Sequence, residues 1–316
     1  MNRPRIVFIG QQNFYTDFLV DWLTQRCDLA GVIFTASGRH RPTAKLRKFR
    51  QRIKRVGWLV ALSELAYFVG AKALFRHDGR DLRKLIADAR QTGAVPAASV
   101  PTIHVESLRA ANVAPFLAAH APDAILTQCI NEVIPASIYD ALPCYVYHEG
   151  IVPQYRGKFA SHWAIRNGDF ENVGASLIRV EAGLDTGPVA FTQAVLPSAA
   201  GRGHGWLEHE VLFLALPRLE KWLADLATGT ARETPQGSRL PLYSYPRASH
   251  LFTLRRAKEN FEQWRHLPVL DYAATDASIF SPAAPLQYAQ NCSPQPGNAG
   301  SNAAGQKSTS GVVEHG

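Results

Sequence analysis

The chain has 316 residues, of which 46% are apolar and 19% charged, and this globular composition excludes an intrinsically disordered protein. That length can bury one large core or two smaller ones. The net charge is +8, and the cysteines lack Cys-x-x-Cys spacing, which predicts buried thiols in a reducing compartment rather than a zinc site or disulfides. The four cysteines are Cys27, Cys129, Cys144 and Cys292.

The N-terminal part of the sequence predicts a soluble α/β protein. A predicted strand begins at Arg5, which leaves no room for a secretory apolar region, so we expect a cytoplasmic protein. Strands are predicted at about 5–10, 29–35, 100–104, 123–128 and 143–148, and helices at about 13–26, 45–76, 80–91, 106–120, 133–140 and 159–168. This alternation predicts a mainly parallel sheet with helices on both faces. No Gly-x-Gly-x-x-Gly follows the first strand, so dinucleotide binding is not indicated.

A basic, helical insertion is predicted at about residues 45–92, between the second and third strands. Nine basic residues cluster at its start with no acid between them: Arg39, Arg41, Lys45, Arg47, Lys48, Arg50, Arg52, Lys54 and Arg55. Three interpretations stay open for them: a solvated helix face, a patch for a phosphate-bearing substrate or tRNA, and a patch for an anionic membrane surface. Residues 57–75 approach the length of a membrane span, but they contain Glu64 and Lys72 and interrupt a soluble domain, so we expect no spanning helix there.

A histidine and an aspartate stand at two predicted strand ends. His148 closes the strand at 143–148, and Gly150, Pro153 and Gly157 then turn the chain away. Ligands of open α/β sheets bind at the carboxyl ends of the strands. Asp185 lies in a glycine-flanked loop inside a predicted hairpin at 174–196, from which a carboxylate can orient a histidine and raise its pKa. The sequence therefore predicts an acid–base centre formed by His148 and Asp185.

Two sequence runs carry a resemblance to a known family. The first reads His-Glu-Gly-Ile-Val-Pro-Gln-Tyr-Arg-Gly over residues 148–157, and the second runs from Gly174 to Leu-Asp-Thr-Gly-Pro at 184–188. Both resemble the paired motifs of the folate-dependent formyltransferases, which include methionyl-tRNA, glycinamide ribonucleotide and sugar N-formyltransferases. The likeness extends over roughly residues 5–225. It implies a Rossmann-like formyltransferase fold and 10-formyltetrahydrofolate as formyl donor.

The resemblance also implies roles for particular residues. His148 and Asp185 would be catalytic, and the donor would lie in a groove formed by Gln128, Cys129, Ile130, Asn131, Val133 and Asp185. On the substrate side the candidates are Gly10, Tyr155, Arg156 and His162. The family needs no metal, so the partial helical spacing of His204, Glu208 and His209 is interpreted without one.

Two departures from the family pattern bear on activity. Val146 replaces the asparagine two residues before the histidine, whose amide helps hold the formyl oxygen, and Ile178 replaces a histidine of the second motif. Loss of one such hydrogen-bond donor typically costs about 10²–10³ in kcat. Gln128 and Asn131 are candidate substitutes for the missing amide.

The sequence predicts three parts: a catalytic domain at 1–229, a short appendage at 230–280 and a disordered tail at 281–316. A long helix is predicted at 204–228, at the end of the first part. The favoured function is formyl transfer to an amino sugar or another small amine. A formyltetrahydrofolate hydrolase and a non-catalytic binding homologue stay open. A tRNA acceptor is less favoured, and nucleic acid in general is an unfavoured partner that stays open.

Overall fold

The computed structural model describes residues 3–36, 42–91, 100–196, 202–237 and 242–253. The strands are β1 Arg5–Gln11, β2 Asp28–Thr35, β3 Thr102–Val105, β4 Ala124–Gln128, β5 Cys144–His148, β6 Arg156–Gly157, β7 Gly174–Arg179, β8 Val189–Ala194 and β9 Leu242–Tyr243. The helices are α1 Phe14–Arg26, α2 Pro42–Val56, α3 Trp58–Leu74, α4 Asp78–Gln91, α5 Val113–His120, α6 Ala136–Tyr139, α7 Ala160–Arg166, α8 His204–Leu214 and α9 Leu216–Ala227.

A seven-stranded sheet with the order β3-β2-β1-β4-β5-β7-β8 forms the centre of the fold. The first five strands in this order are parallel, and β7 and β8 are antiparallel. The predicted α/β fold, a Rossmann-like and mainly parallel sheet flanked by helices, is therefore confirmed. The strand order reverses between β1 and β4, and in such sheets this switch point is where ligands bind.

Helices cover both faces of the sheet, which explains why the central strands are apolar throughout. Every residue of β4 is buried, and in β1 all but the first are buried. Alternate residues therefore point into two separate cores, as expected of parallel strands covered on both sides. Ile6, Phe8 and Leu126 face one core with α1 and α8, whereas Val7 and Ile125 face the other with α5.

The insertion between β2 and β3 consists of α2, α3 and α4. The predicted single helix at 45–76 is wrong, because Gly57 has a φ of +82°, a backbone conformation that glycine adopts readily, and it separates α2 from α3. Arg52 on α2 donates two hydrogen bonds to Glu64 on α3, with lengths of 2.8 and 2.6 Å. This bidentate pair holds the two helices together.

Two further helix predictions need correction. The helix predicted at 204–228 is divided into α8 and α9, since a proline at the start of α9 cannot continue the backbone hydrogen bonds of α8. The helix predicted at 106–120 begins only at Val113.

Residues after Gly229 return to the central domain. Thr234 forms a bridge with Val189 on β8, and β9 pairs in parallel with β6. The rest of the predicted appendage and the whole predicted tail at 281–316 lie outside the described residues, so the three-part division stays a prediction.

Candidate functional site

His148 is the last residue of β5 and its side chain is 5% exposed. The ring lies 3.2 Å from the Tyr155 carbonyl oxygen through Nε2, which donates when protonated, and Nδ1 lies 3.5 Å from Oε2 of Glu149. Burial by itself lowers the pKa of this histidine, but Asp185, Glu149 and the Tyr155 carbonyl outweigh it, so the pKa is raised above its ordinary value. The ring is therefore held in place and biased toward its protonated form.

Gly150 allows the turn after β5 to fold back onto this ring. A Cβ atom at Gly150 would lie 2.2 Å from the Ala160 Cβ, 2.6 Å from the Tyr155 carbonyl oxygen and 2.8 Å from His148 Nε2. Only glycine fits at this point, because no real side chain tolerates such distances. The close approach of the chain therefore fixes the histidine's hydrogen-bond partner.

Asp185 acts on the site through its charge and through the backbone. It has a φ of +51°, in the left-handed region that aspartate tolerates better than most residues, and its Oδ2 accepts a hydrogen bond of 3.0 Å from the Gly157 N–H. Gln236 donates to the carbonyls of Asp185 and Gly187, at 3.0 and 2.7 Å, and so fixes the loop.

The described contacts of Asp185 run through the neighbouring turn, and its predicted role stays a prediction. Among the described residues, no hydrogen bond joins its carboxylate to the ring of His148. The Tyr155 carbonyl holds the ring instead, while the charge of Asp185 raises the pKa of His148. Asp185 thus bonds to the turn that carries Tyr155, rather than to the histidine itself.

Tyr155 and Arg156, predicted on the substrate side, are buried. The Tyr155 hydroxyl donates to Asp169 Oδ2 at 3.0 Å, and its ring stacks on Tyr243 at 5.1 Å between centroids. Arg156 pairs with Leu242 in the short β6–β9 sheet. These side chains shape the turn, and Tyr155 contributes its main-chain carbonyl to the site.

The predicted groove for the donor follows the edge of β1 and β4. Gly10 is the register partner of Gln128, and a Cβ at Gly10 would lie 2.9 Å from the Gln128 carbonyl oxygen, so the two strands need glycine here. The Gln128 side chain is 3% exposed, and its Oε1 atom has no hydrogen-bond partner in the described part of the chain. A buried acceptor without a partner is costly unless a ligand supplies a donor.

The loop after Gln128 contains the other predicted groove residues. Cys129 has a φ of +56° and is exposed. Ile130 packs against the core below the loop, whereas Val133 is 73% exposed. Asn131 donates from Nδ2 to Gln11 Oε1 at 2.8 Å. One amide hydrogen bond of Asn131 is thus already used, which weakens its case as the substitute for the missing asparagine.

Thr127 is a residue that the sequence reasoning missed. It is the register partner of Val146 in the parallel β4–β5 pair, and neighbours in register share one face of a sheet. The Thr127 side chain is fully buried, and its Oγ1 has no hydrogen-bond partner within the described ranges. Strand register was the signal that could have identified it, but register cannot be read from a single strand.

Sequence reasoning also missed a second side of the site, here called the flank, which contains Glu149 after β5 and Glu208 on α8. Burial, followed by the charge of Glu149, raises the pKa of Glu208 well above its usual range, while Lys158 lowers it. Glu208 in turn raises the pKa of Tyr67 after burial, so that the insertion helix α3 reaches this flank. The flank lies on the α8 side of the sheet, opposite the core that contains Cys144 and Ile125.

His162, predicted as a substrate contact, lies on α7 with its side chain 2% exposed. Neither ring nitrogen has a hydrogen-bond partner in the part of the chain that the structure describes. Burial, followed by the nearby His204, lowers its pKa to about 3. Its ring contacts that of Tyr67, whose hydroxyl lies 3.1 Å from His204 Nδ1. His162 is therefore a neutral histidine behind the flank.

The residues described in the structure contain no group of three or more His, Cys, Asp or Glu side chains that could hold a metal ion. His209, considered at the sequence level with His204 and Glu208, lies 2.7 Å from the Gly205 carbonyl oxygen through Nδ1 and stacks on Phe14. Burial lowers its pKa to about 4. This histidine packs within the fold.

Part of the chain is similar to known proteins. The family model described as formyl transferase matches residues 77–204. The methionyl-tRNA formyltransferase of Pseudomonas paraeruginosa is 32% identical over 148 residues, which are 46% of this chain and 47% of that protein. The one from Pseudomonas putida strain GB-1 is 30% identical over 165 residues, 52% of each chain. The chain thus spans about half the length of these curated relatives.

Two solved structures of other formyltransferases match the chain with low sequence identity and low TM-scores. A sugar N-formyltransferase from Shewanella is 11% identical with a TM-score of 0.46, covering 80% of this chain and 87% of that one. A phosphoribosylglycinamide formyltransferase from Anaplasma phagocytophilum is 14% identical with a TM-score of 0.46, covering 77% of this chain and all of that one. With the family match, the sequence relatives confirm the resemblance to formyltransferases.

Proposed function

We propose that this chain, related to the formyltransferases through residues 77–204, transfers a formyl group from 10-formyltetrahydrofolate to a small amine. The observation that carries the proposal is the placement of His148. Its ring lies at a strand end, held by a main-chain carbonyl and flanked by two carboxylates, Glu149 and Asp185, that raise its pKa. A histidine in this setting suits a reaction in which protons move between nitrogen and oxygen.

The proposed chemistry follows from these charges. The amine nitrogen attacks the formyl carbon, a new C–N bond forms, and the bond from that carbon to N10 of the folate breaks. Negative charge develops on the formyl oxygen, and a protonated His148 stabilises it by donating a hydrogen bond. The amine loses a proton and N10 gains one, and His148 relays this proton, with Asp185 and Glu149 balancing the charge of the ring.

The edge of β1 and β4 fits the formyl donor. The donor supplies the activated formyl group when it is bound. Gly10 lets the two strands approach closely, and the buried Oε1 of Gln128 is an acceptor free to take an N–H from a flat heterocycle. The loop residues Cys129, Ile130 and Val133 would line the groove, and Asp185 would close it from the other side.

The acceptor is proposed to be an amino sugar or another small amine. Glu149 and Asp185 place two negative charges near His148, and such charges favour an amine that arrives as an ammonium ion and releases a proton before it attacks. The same two charges disfavour a polyanion such as tRNA beside His148. We propose a cytoplasmic location, because the thiols of Cys27 and Cys144 are free and buried.

The test is a formyl-transfer assay with 10-formyltetrahydrofolate and a panel of amines that includes amino sugars. Formylated amine, detected by mass, supports the proposal. Formate release without formylated amine would show a hydrolase. Folate binding without turnover would show a binding homologue, the alternative that Val146 and Ile178 favour. Absence of both binding and turnover in a folded protein would refute the folate-dependent function altogether.

A further inference from the structure

The outer face of α3 is an exposed apolar stripe. Large apolar side chains recur at helical spacing along this face with exposures between 46% and 65%: Trp58, Leu59, Leu62, Leu65 and Val69. Leu74 continues the series at the end of the helix with 51% exposure. Single exposed leucines are common on protein surfaces, but a contiguous set of this kind marks an interaction site.

The opposite face of α3 is already occupied, so the stripe is not part of the core. Ala61, Glu64, Tyr67 and Ala71 are buried on that inner face. Glu64 is paired there with Arg52, and Gly70 contacts the side chain of Leu251. None of the described helices is by itself long and apolar enough to cross a membrane, although α3 and the start of α4 pass that test together as a pair bent by 57°. Within the described ranges, α3 therefore presents one exposed apolar face.

Basic side chains surround the stripe. Residues 42–74 contain eight lysines and arginines. Their one acidic residue, Glu64, forms an ion pair with Arg52. On α2 the exposed basic residues are Arg47, Lys48, Arg50, Lys54 and Arg55. Lys54 and Arg55 end α2 just before Trp58 begins the stripe, and Lys72 and Arg76 are exposed at the other end. The stripe thus has positive charge at both ends.

We propose that α2 and α3 dock this protein on the surface of an anionic lipid bilayer. The stripe from Trp58 to Leu74 would enter the boundary between headgroups and acyl chains, with α3 lying in the plane of the surface. The arginines and lysines of α2 would contact lipid phosphates. This inference goes beyond the proposed formyl transfer.

The charge pattern argues against two other occupants. A second copy of the chain would bring an equally basic surface against this one, and like charges oppose such contact. A nucleic acid would satisfy the basic residues but would leave five bulky apolar side chains in water or against phosphate. An anionic bilayer matches both the stripe and the charges around it.

The experiment measures binding of the full chain to vesicles by co-sedimentation. One set of vesicles is phosphatidylcholine alone, and the other contains equal parts of phosphatidylcholine and phosphatidylglycerol. Two double variants are compared with the parent chain. The leucine variant combines Leu62→Gln with Leu65→Gln and removes apolar contact at constant charge. The charge variant combines Arg47→Glu with Arg50→Glu and reverses the charge of two side chains on α2. Ala118→Gln with Ala119→Gln is the matched control, because both alanines are exposed on α5.

The expected result is stronger binding to the anionic vesicles, weakened by salt. The leucine variant should bind at least about tenfold more weakly, since apolar burial drives insertion, and the control should bind like the parent. The charge variant should lose its preference for anionic vesicles. Trp58, at 60% exposure, should report insertion as a blue-shifted fluorescence component that Trp58→Phe removes.

Three results would overturn the proposal. The first is the absence of binding to either vesicle by a folded parent chain. The second is vesicle binding that the leucine variant leaves unchanged. The third is a parent chain that does not bind vesicles and instead uses the stripe to form dimers or to bind RNA. Sedimentation with and without an RNA oligonucleotide would detect both. The formyl-transfer assay in solution is independent of all three, so failure here leaves the proposed function separately testable.

Discussion

Val146 on β5 and Ile178 on β7 lie directly opposite each other in the antiparallel ladder. They occupy the two positions at which the sequence departs from the formyltransferase pattern. On the other side of Val146, the partner in register is Thr127, whose buried hydroxyl has no hydrogen-bond partner among the described residues. The two departures therefore form one apolar patch beside a lone hydroxyl, and Val146 in this patch precedes His148 by two residues on the same strand.

Val146→Asn should raise the rate of formyl transfer, by up to about 10²-fold, because it restores a donor for the developing oxyanion. The Thr127 hydroxyl can orient the new amide by a hydrogen bond. Initial rates at equal folded concentration provide the measurement. Val146→Leu, which changes the shape without adding a hydrogen bond, is the control and should give no gain. An unchanged or lower rate in the asparagine variant would mean that another group already fills this role.

His148→Ala should lower kcat by about 10²–10⁴, because it removes the proposed proton relay. The variant should still fold, since the Tyr155 carbonyl that loses its partner lies beside the site and can bond to water. Circular dichroism and single-turnover rates check both statements. A variant with near-native turnover would remove His148 from the mechanism.

Asp185→Asn should shift the pH dependence of the reaction. The charge of Asp185 raises the pKa of His148, so its removal lowers that pKa. The protonated ring is then lost at lower pH, and the alkaline limb of the rate profile should move to lower pH. Asparagine tolerates the left-handed backbone at this position and can still accept from the Gly157 N–H, so the loop should remain in place. An identical profile with a merely lower rate would assign Asp185 a structural role only.

Gly150→Ala should destabilise the protein by about 1–3 kcal/mol and lower activity, because the added methyl group collides with Ala160 and the ring of His148. Gly205→Ala is the matched control: the site on α8 has no neighbouring atom within 4 Å of an added Cβ, and alanine favours a helix. Thermal unfolding and turnover of both variants test this pair. Equal stability of the two would contradict the close approach at Gly150.

Acid should destabilise the fold through its buried neutral histidines. The pKa of His162 is lowered to about 3, and that of His204 to about 4, in each case mainly by burial. Because the pKa of these histidines is lowered in the folded state, the unfolded chain takes up protons at a higher pH than the folded chain does. The free energy of unfolding should therefore fall as the pH drops below about 6.5, by about 1.4 kcal/mol per pH unit for each such histidine. His162→Phe should reduce that slope by one proton, as measured by urea unfolding from pH 7 to 5. An unchanged slope would show that His162 is protonated in the folded state.

The strands and the order of the main helices could be predicted from the sequence, because apolar runs and helical spacing report burial directly. The breaks between helices were harder to predict from the sequence. Gly57 and the proline at the start of α9 interrupt helices only because the tertiary structure lets the chain turn there. His148 and Asp185 could be located at loop ends, but the bond between Asp185 and Gly157 depends on how two distant turns meet.

Contacts made by α3 were beyond sequence reasoning for a related reason. Nothing in residues 58–74 indicates that Tyr67 reaches His204, since the two are 137 positions apart in the chain. Glu208 was considered only as a metal ligand, because its neighbour Glu149 lies after β5, far away in the sequence from α8. Pairs of this kind come from topology, which a single sequence does not specify.

The short pairing of β6 with β9 determines where the chain can be shortened. Gly157, whose N–H bonds to Asp185, is held against Tyr243, while Trp163 Nε1 donates to the Ser244 carbonyl at 2.8 Å. Gln236, which clamps the Asp185 loop, also lies beyond Gly229. A protein engineer who cut the gene at residue 229, or fused a partner there, would leave the turn that follows His148 without its supports. The smallest transferable unit therefore extends at least to Ser244.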